Sequence, residues 1–140
     1  MIALDTNVLL RYLVRDDEAQ AALADDVMSG LTASEPALIT HMVLCEMWWA
    51  LGAAYGSPRE ERAAIVEELL TVQGLVVEGA DQVRAALDHV AQGADFADAL
   101  IACHAAHVGC TATLTFDRRA ARAAGMTLID GSAGAPPLPR

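Results

Sequence analysis

Four acidic residues stand at points of the sequence where a carboxylate could do chemistry. Asp5 ends the first apolar run, and Glu46 lies in the first turns of the helix predicted after the second strand. Asp98 falls in the first turn of a later predicted helix, and Asp117 directly follows the fourth predicted strand. Functional residues of an open parallel sheet gather beyond the carboxyl ends of its strands. Carboxylate oxygens suit Mg²⁺ or Mn²⁺ rather than zinc or copper, and such an ion can activate water for phosphodiester hydrolysis.

Three of these acids also have a purely structural interpretation. Asp117 fits the N-cap of the helix that follows it, and Asp5 fits an ordinary turn position. Asp95 is a better N-cap for its helix than Asp98, which would then only favour the helix dipole. For each of the three taken alone, the structural role is the stronger interpretation.

Glu46 is the acid whose surroundings call for a partner. It lies in the segment MVLCEMWWAL, where every near neighbour is apolar. An unpaired ionised carboxylate in such surroundings carries a large desolvation cost or a shifted pKa. Arg11 or Arg15 could compensate it as well as a metal could. The joint pattern favours the metal, because each like-charge contact at roughly 4 Å costs on the order of 4 kcal/mol at an effective dielectric of about 20.

The apolar pattern places these acids on alternating strands and helices. Strands are predicted over residues 2–5 (buried), 36–40, 75–78, 111–116 and 126–129. Helices are predicted from Val8 onward and over residues 18–29, 41–56, 60–72, 81–92, 96–108 and 117–124. A capping box with proline at the first helical position is predicted at 57–60, and Gly93 and Gly109 are predicted helix ends. This pattern predicts an α/β fold with a short central parallel sheet flanked by helices on both faces.

Length and composition predict a single cytoplasmic domain. The 140 residues suffice for one core, which we assign to residues 1–131, with a frayed Pro/Gly-rich tail over 132–140. The sequence has no apolar run long enough for a bilayer and no secretory signal, so no membrane association is expected. Cys45, Cys103 and Cys110 lack C-x-x-C spacing and are predicted to be reduced core thiols.

The charge balance narrows the chemistry further. The formal net charge is −10, which argues against gripping nucleic acid by bulk electrostatics alone. All nine basic residues are arginines. The absence of lysine excludes three other phosphoryl-transfer classes, namely haloacid-dehalogenase phosphatases, receiver domains and P-loop enzymes.

Four short segments together resemble the PIN-domain nucleases. They are Asp5-Thr6-Asn7, the segment 40–46 (THMVLCE), Asp95-Phe-Ala-Asp98 and Thr115-Phe-Asp117. Within that family the chain looks most like the VapC toxins of bacterial toxin–antitoxin pairs. The similarity runs from residue 1 to about residue 130. Each segment is weak evidence alone, but all four in this order and spacing are specific.

The resemblance implies a magnesium-dependent endoribonuclease, with Mn²⁺ as a possible substitute ion. Asp5 and Asp98 would hold the metal most directly, while Glu46 and Asp117 would complete its water shell and position the attacking water. The supporting residues would be Asn7, Asp95 and Thr115, with Asn7 and Thr115 bracing the pocket by hydrogen bonds. The resemblance also implies a homodimer, an RNA substrate, and inhibition by a small VapB-like antitoxin.

Arginines and aromatic residues leave alternatives open. Arg118, Arg119 and Arg122 could contact RNA, although a solvated helix face is slightly favoured. Arg11 and Arg15 could equally contact RNA or pair with the acids at 16 and 17. Trp48 and Trp49 are predicted to be buried in the core or in a groove for a partner, with base stacking the less favoured use.

A different class of function also fits the sequence. The domain could be a catalytically inactive PIN scaffold that binds RNA or a partner protein. Four convergent acids without a cation would then repel one another with nothing to offset the repulsion. We therefore rank this interpretation second.

Overall fold

The computed structural model of this chain describes residues 1–131, so the tail predicted for residues 132–140 lies outside the described residues. The strands are β1 (Ile2–Ala3), β2 (Ala37–Ile39), β3 (Leu75–Val77), β4 (Leu114–Thr115) and β5 (Thr127–Leu128). The helices are α1 (Thr6–Val14), α2 (Glu18–Ser29), α3 (His41–Ala53), α4 (Arg59–Thr71), α5 (Ala80–Ala91), α6 (Phe96–His107) and α7 (Arg118–Ala123). Every strand pair is parallel, which confirms the predicted α/β class.

The chain separates into two compact units, Met1–Ala80 and a second beginning at Asp81. In the first unit, the strands lie in the order β1-β2-β3, and Ala37 pairs with Ile2 on one side and Leu75 on the other. Parallel neighbours need a crossover connection. Helices α1 and α2 form the first crossover, and α3 and α4 form the second.

An aliphatic core holds the helices of the first unit in place. Leu9 of α1, Leu44 and Met47 of α3 and Val66 of α4 are all completely buried. Burying a side chain of this size contributes about 1.5–3 kcal/mol. The faces of α1 and α3 that point away from this core are therefore held in defined positions.

The contact between α3 and α4 depends on a glycine. The Arg62 guanidinium lies over the ring of Trp48, with its Cζ 4.7 Å from the ring centroid. Its Nη1 also donates a hydrogen bond of 3.2 Å to the Trp48 carbonyl oxygen. A Cβ at Gly52 would approach Nη1 to 2.7 Å. A side chain at position 52 would therefore require the flexible end of Arg62 to move.

The first strand differs from its prediction. It covers Ile2–Ala3 rather than residues 2–5, and both side chains are exposed, whereas a buried strand was predicted. The strand lies at the edge of its sheet, with a strand neighbour on one side only. Burial begins at Leu4, which is 5 % exposed.

The start of α4 also differs. Pro58 was predicted at the first helical position of a capping box, but it occupies the N-cap, and no side chain makes a capping hydrogen bond there. Its extended backbone, with ψ 154°, delays the helix to Arg59. The Ser57 hydroxyl donates instead to Glu61 at 3.3 Å. The preceding helix α3 ends at Ala53, three residues before its predicted end at Gly56.

The second unit contains three helices and a two-stranded parallel sheet. Val83 and Ala86 of α5 and Phe96 and Ala99 of α6 are completely buried. Helix α7 contacts α6 and both strands of this unit. The predicted helix ends at glycines 93 and 109 are confirmed, since both have positive φ angles, +109° and +99°, that favour glycine.

The strand pairing is less extensive than predicted. The strand expected over 111–116 is reduced to Leu114–Thr115, which pairs only with β5. Within residues 1–131 the strands therefore form a three-stranded and a two-stranded sheet rather than one central sheet. Thr111 and Ala112 are exposed, so nothing buries the start of the predicted strand.

Cys45, Cys103 and Cys110 are reduced thiols, as predicted, but they are not core residues. Cys45 and Cys103 are half-buried, and Cys110 is exposed. Burial, together with the nearby Asp88 carboxylate, raises the pKa of the Cys103 thiol. None of the helices in residues 1–131 has the length and apolar character needed to cross a membrane.

Candidate active site

Asp5 lies at the junction of β1 and α1, with an exposed side chain. It occupies the N-cap position with an extended backbone, φ −78° and ψ 157°, but its side chain makes no capping hydrogen bond. An aspartate that serves only as a cap would accept a bond from an amide of the first helical turn. The Asp5 carboxylate is therefore available to a ligand.

Glu46 is oriented by a hydroxyl from α1. The Thr6 hydroxyl donates a hydrogen bond of 3.2 Å to Glu46 Oε2, across 40 residues of sequence. Thr6 is only 6 % exposed, so the donor is held rigidly by the packing around it. One carboxylate oxygen of Glu46 is thereby fixed, and the side chain has a defined direction.

Glu46 is not buried, so its predicted need for a compensating partner is wrong. Its apolar neighbours Leu44, Met47 and Trp48 face the core, whereas Glu46 itself is exposed. A helix with one buried face needs no compensating partner for a carboxylate on the other face. Within residues 1–131 no arginine pairs with Glu46, and the Thr6 hydroxyl is its hydrogen-bond donor.

Arg11 and Arg15 have acidic partners of their own. Arg11 pairs with Asp16 at 3.2 Å, which was one of its two predicted alternatives. Arg15 forms a two-pronged contact with Asp25, at 2.8 and 2.7 Å. Its predicted pairing with the acids at 16 and 17 is wrong, because Asp17 instead caps α2 by accepting a bond from the amide of Gln20.

Asp5 and Glu46 line the same cleft of the first unit. The cleft has a volume of about 510 Å³. Its lining residues are Asp5, Thr6, Asn7, Leu10, Cys45, Glu46, Trp49 and Ala50. Two of the four predicted acids thus share one open cavity, together with the predicted supporting residue Asn7.

The other two acids lie in the second unit, where they interact electrostatically. Asp98 is half-buried in the first turn of α6, and burial is the main cause of its raised pKa. The carboxylates of Asp95 and Asp117 raise the pKa of Asp98 further. As predicted, Asp95 is the N-cap and accepts a 3.2 Å hydrogen bond from the Asp98 amide. The carboxylates of Asp95 and Asp117 therefore lie close enough to Asp98 to disfavour its charge.

Asp117 combines a structural role with its place in this group. Its Oδ1 accepts hydrogen bonds from the amides of Arg119, at 2.8 Å, and Ala120, at 3.2 Å, as an N-cap does. Its own amide donates to Thr115 Oγ1 at 3.0 Å. The capping bonds use one carboxylate oxygen and leave Oδ2 for other contacts.

The donor chemistry fits a hard divalent cation, although a complete ligand group is not formed. Within residues 1–131, no three His, Cys, Asp or Glu side chains are grouped so that they could hold a metal ion. Mg²⁺ is commonly bound through only one or two carboxylates, with waters and substrate phosphates as its other ligands. Burial and, after it, the carboxylates of Asp95 and Asp117 raise the pKa of Asp98, and a bound cation would favour its charged form again.

The three arginines after Asp117 form an exposed basic face on α7. Arg118, Arg119 and Arg122 are all exposed. Arg119 also donates a 3.4 Å hydrogen bond to the Gly93 carbonyl oxygen. This exposure suits both predicted alternatives, a solvated face and contact with phosphate.

The two tryptophans differ sharply in side-chain exposure, although the same burial was predicted for both. Trp48 is 5 % exposed, as predicted for a core residue, but Trp49 is 71 % exposed. Trp49 follows Glu46 by three residues, a spacing that places both on one helix face and could have indicated its position. Thr6 was also missed as a contact of Glu46, because no sequence signal links residues 40 positions apart.

The chain was compared with known protein families, curated proteins and solved structures. The family model described as PIN domain matches residues 2–126, a range that extends over both units. No curated protein and no solved structure gives a significant match.

Proposed function

Because this chain belongs to the PIN domain family, whose members are usually nucleases, we propose that it is a metal-dependent endoribonuclease that uses Mg²⁺ or Mn²⁺. Its closest functional type is then the VapC toxin, which a VapB-like antitoxin neutralises. We further propose that residues 1–131 act as one catalytic domain. The observation that carries the proposal is the cleft that Asp5 and Glu46 share, with the Glu46 carboxylate held by a buried hydroxyl.

Asp5 and Asp98 are the proposed direct ligands of the metal. Asp5 supports this role because its carboxylate is exposed and makes no capping bond. Asp98 supports it because its charge is disfavoured by burial and by neighbouring carboxylates, so it gains most from a cation. When bound, the metal supplies a more acidic water and stabilises charge on the phosphate.

Glu46 and Asp117 are the proposed residues that orient the attacking water. The hydrogen bond from Thr6 occupies Glu46 Oε2, so Oε1 is the oxygen that can accept a hydrogen bond from water. For Asp117 the capping bonds occupy Oδ1, which leaves Oδ2 for the same task. Each acid is thus held by one oxygen and works with the other.

Three further residues support the proposed site. Thr115 accepts a hydrogen bond from the Asp117 amide, which fixes the start of α7. Asp95 caps α6 and so positions the turn that carries Asp98. Asn7 lines the cleft beside Asp5.

Substrate and partners follow from the same proposal. RNA contacts are assigned to the exposed arginines of α7, Arg118, Arg119 and Arg122, with Arg11 as a weaker candidate because Asp16 and Gln20 already bind its guanidinium. An antitoxin segment or a second copy of the chain would bury exposed apolar side chains. Leu23 and Val27, at 66 % and 40 % exposure, are available for such burial.

The test is cleavage of total bacterial RNA by the purified chain, with Mg²⁺ or Mn²⁺ and in parallel with EDTA. Asp98→Asn is compared with wild type, and Asp26→Asn, which removes an equal charge at an exposed site on α2, is the matched control. We expect discrete, metal-dependent fragments from wild type and Asp26→Asn, and none from Asp98→Asn. Equal inertness of all three chains under both metals would favour the inactive scaffold.

A further inference from the structure

Trp49 is a large aromatic side chain without a protein cover. Its side chain is 71 % exposed, although indole is among the groups that gain most from burial. It lines the cleft that also contains Asp5, Asn7 and Glu46. An exposed ring at this position has a face available to a planar ligand.

The geometry of α3 places the ring beside a proposed catalytic acid. Trp49 and Glu46 are three residues apart on one helix, so their Cβ atoms lie about 5–6 Å from each other. A group stacked on the indole therefore lies next to the carboxylate.

The charge of the chain limits how RNA can be attracted to this cleft. The chain has a formal charge of −10 and contains no lysine, and the cleft itself carries two carboxylates. Phosphates are repelled by such a surface. Base stacking is an attraction that does not depend on charge, and every base has a π face.

We propose that Trp49 stacks on a nucleobase of the RNA substrate and so positions the neighbouring phosphate beside Asp5 and Glu46. This inference rests on the proposed nuclease function and adds a positioning residue to it. Trp49 fixes where the strand lies, while the carboxylates do the chemistry. The preference it gives is for unpaired nucleotides, because only a splayed-out base presents a free face.

A protein-docking role for the same ring makes a different prediction. Met42 is 74 % exposed on the same helix but does not line the cleft. A partner protein that covered this face would bury Met42 together with Trp49, since residues 42, 46 and 49 follow helical spacing. A stacked base would touch only the indole. Met42 is therefore the matched control.

The experiment measures binding in EDTA, where no cleavage is expected. The probes are a dye-labelled octamer of riboadenylate and an abasic octamer with the same phosphates. We expect Trp49→Leu to weaken binding of the riboadenylate octamer by about 5- to 150-fold, the range of one base stack, and to leave binding of the abasic octamer unchanged. Trp49→Phe should retain most of the affinity, and Met42→Ala should bind as wild type does.

Intrinsic fluorescence gives a second readout. Trp48 and Trp49 are the only tryptophans in the chain, and Trp48 is buried under Arg62. Riboadenylate should quench the exposed indole of wild type, and the quenching should be absent from Trp49→Phe. The abasic octamer should quench the fluorescence of neither wild type nor Trp49→Phe.

Several results would overturn the inference. These are equal affinity of Trp49→Leu and wild type, equal binding of the two octamers, no binding of either octamer, or a loss in Met42→Ala as large as that in Trp49→Leu.

Failure of the nuclease proposal looks different. In that case total RNA stays intact with every metal, whatever Trp49 does. If wild type cleaves RNA and Trp49→Leu cleaves it with the same KM, the nuclease proposal stands and the stacking role is rejected.

Discussion

The Thr6 hydroxyl controls the direction of a carboxylate 40 residues away in sequence. Its burial makes the donor rigid, and the exposure of Glu46 keeps the acid accessible to water and substrate. A positioned acid of this kind loses effectiveness when its orienting bond is removed, even though its own atoms remain. Thr6 is thus a positioning residue for the proposed reaction.

Thr6→Val tests this role, because valine keeps the shape and removes the donor. We expect the cleavage rate at saturating RNA to fall about 10-fold, equivalent to about 1.4 kcal/mol, with little change in KM. Stability should change by about 1 kcal/mol or less, the net value of one such hydrogen bond. Single-turnover kinetics and thermal melting measure the two effects. Thr6→Ser retains the donor, and a loss of rate as large as that of valine would contradict the assignment.

Asp98 should destabilise the metal-free fold at neutral pH. Burial and the carboxylates at 95 and 117 raise its pKa, so the folded chain disfavours the charged form. The contribution of this group to stability is then complete below its unfolded pKa, about 4, and is lost as the pH rises through the raised folded pKa. Asp98→Asn should therefore raise Tm in EDTA at pH 7.

The pH dependence provides the control for this prediction. Well below the unfolded pKa of about 4, where Asp98 is protonated in both folded and unfolded chains, wild type and Asp98→Asn should melt alike. Asp26 is exposed and is not among the carboxylates that raise the pKa of Asp98. Asp26→Asn should therefore show no gain in Tm at pH 7. A lower Tm for Asp98→Asn at pH 7 would mean that helix-dipole stabilisation outweighs the repulsion.

At the scale of elements, the residue that caps the start of α7 is also one of the proposed catalytic acids. Asp117 accepts two amide hydrogen bonds there, and a six-residue helix has little other means of holding its first turn. The N-cap interpretation of Asp117 is therefore confirmed by these bonds. Its catalytic role stays a prediction, and the two roles are separable because asparagine caps a helix about as well as aspartate does.

Two substitutions at Asp117 should separate cap from charge. Asp117→Asn should keep the melting temperature near that of wild type and lose most of the cleavage. Asp117→Ala should lose both, with a cost of about 0.5–2 kcal/mol for the missing cap. Melting curves and RNA cleavage of the two variants, measured side by side, provide the comparison. Full activity in Asp117→Asn would leave Asp117 as a cap alone.

Some secondary-structure elements could be predicted from the sequence, and others could not. Helix ends at Gly93 and Gly109 were predictable, because a left-handed turn needs glycine locally. The short β4 was not, since a strand exists only where a partner pairs with it, and β5 offers two residues. The delay of α4 came from the backbone of Pro58, which a side-chain motif does not reveal. The prediction of apolar surroundings for Glu46 failed for a similar reason. Its apolar neighbours in sequence lie on the other face of the helix.

At the scale of the whole molecule, the formal net charge is −10, so a bound cation reduces the electrostatic repulsion within the folded chain. A ligand that binds only the folded chain stabilises it by about 2.7 kcal/mol at 100 times its Kd. We expect Mg²⁺ or Mn²⁺ to raise the Tm of wild type. The double variant Asp5→Asn, Asp98→Asn should lose this response and the cleavage together, while Asp26→Asn keeps both. A double variant that cuts RNA as fast as wild type would overturn the site assignment.

The missing methyl group at position 52 has a consequence for genetics. Because the flexible end of the Arg62 side chain fills the space where a Cβ would lie, Gly52→Ala displaces the guanidinium from its place over Trp48. A library of variants would then show an abundance at position 52 that falls with the size of the substituted side chain, with alanine the mildest case.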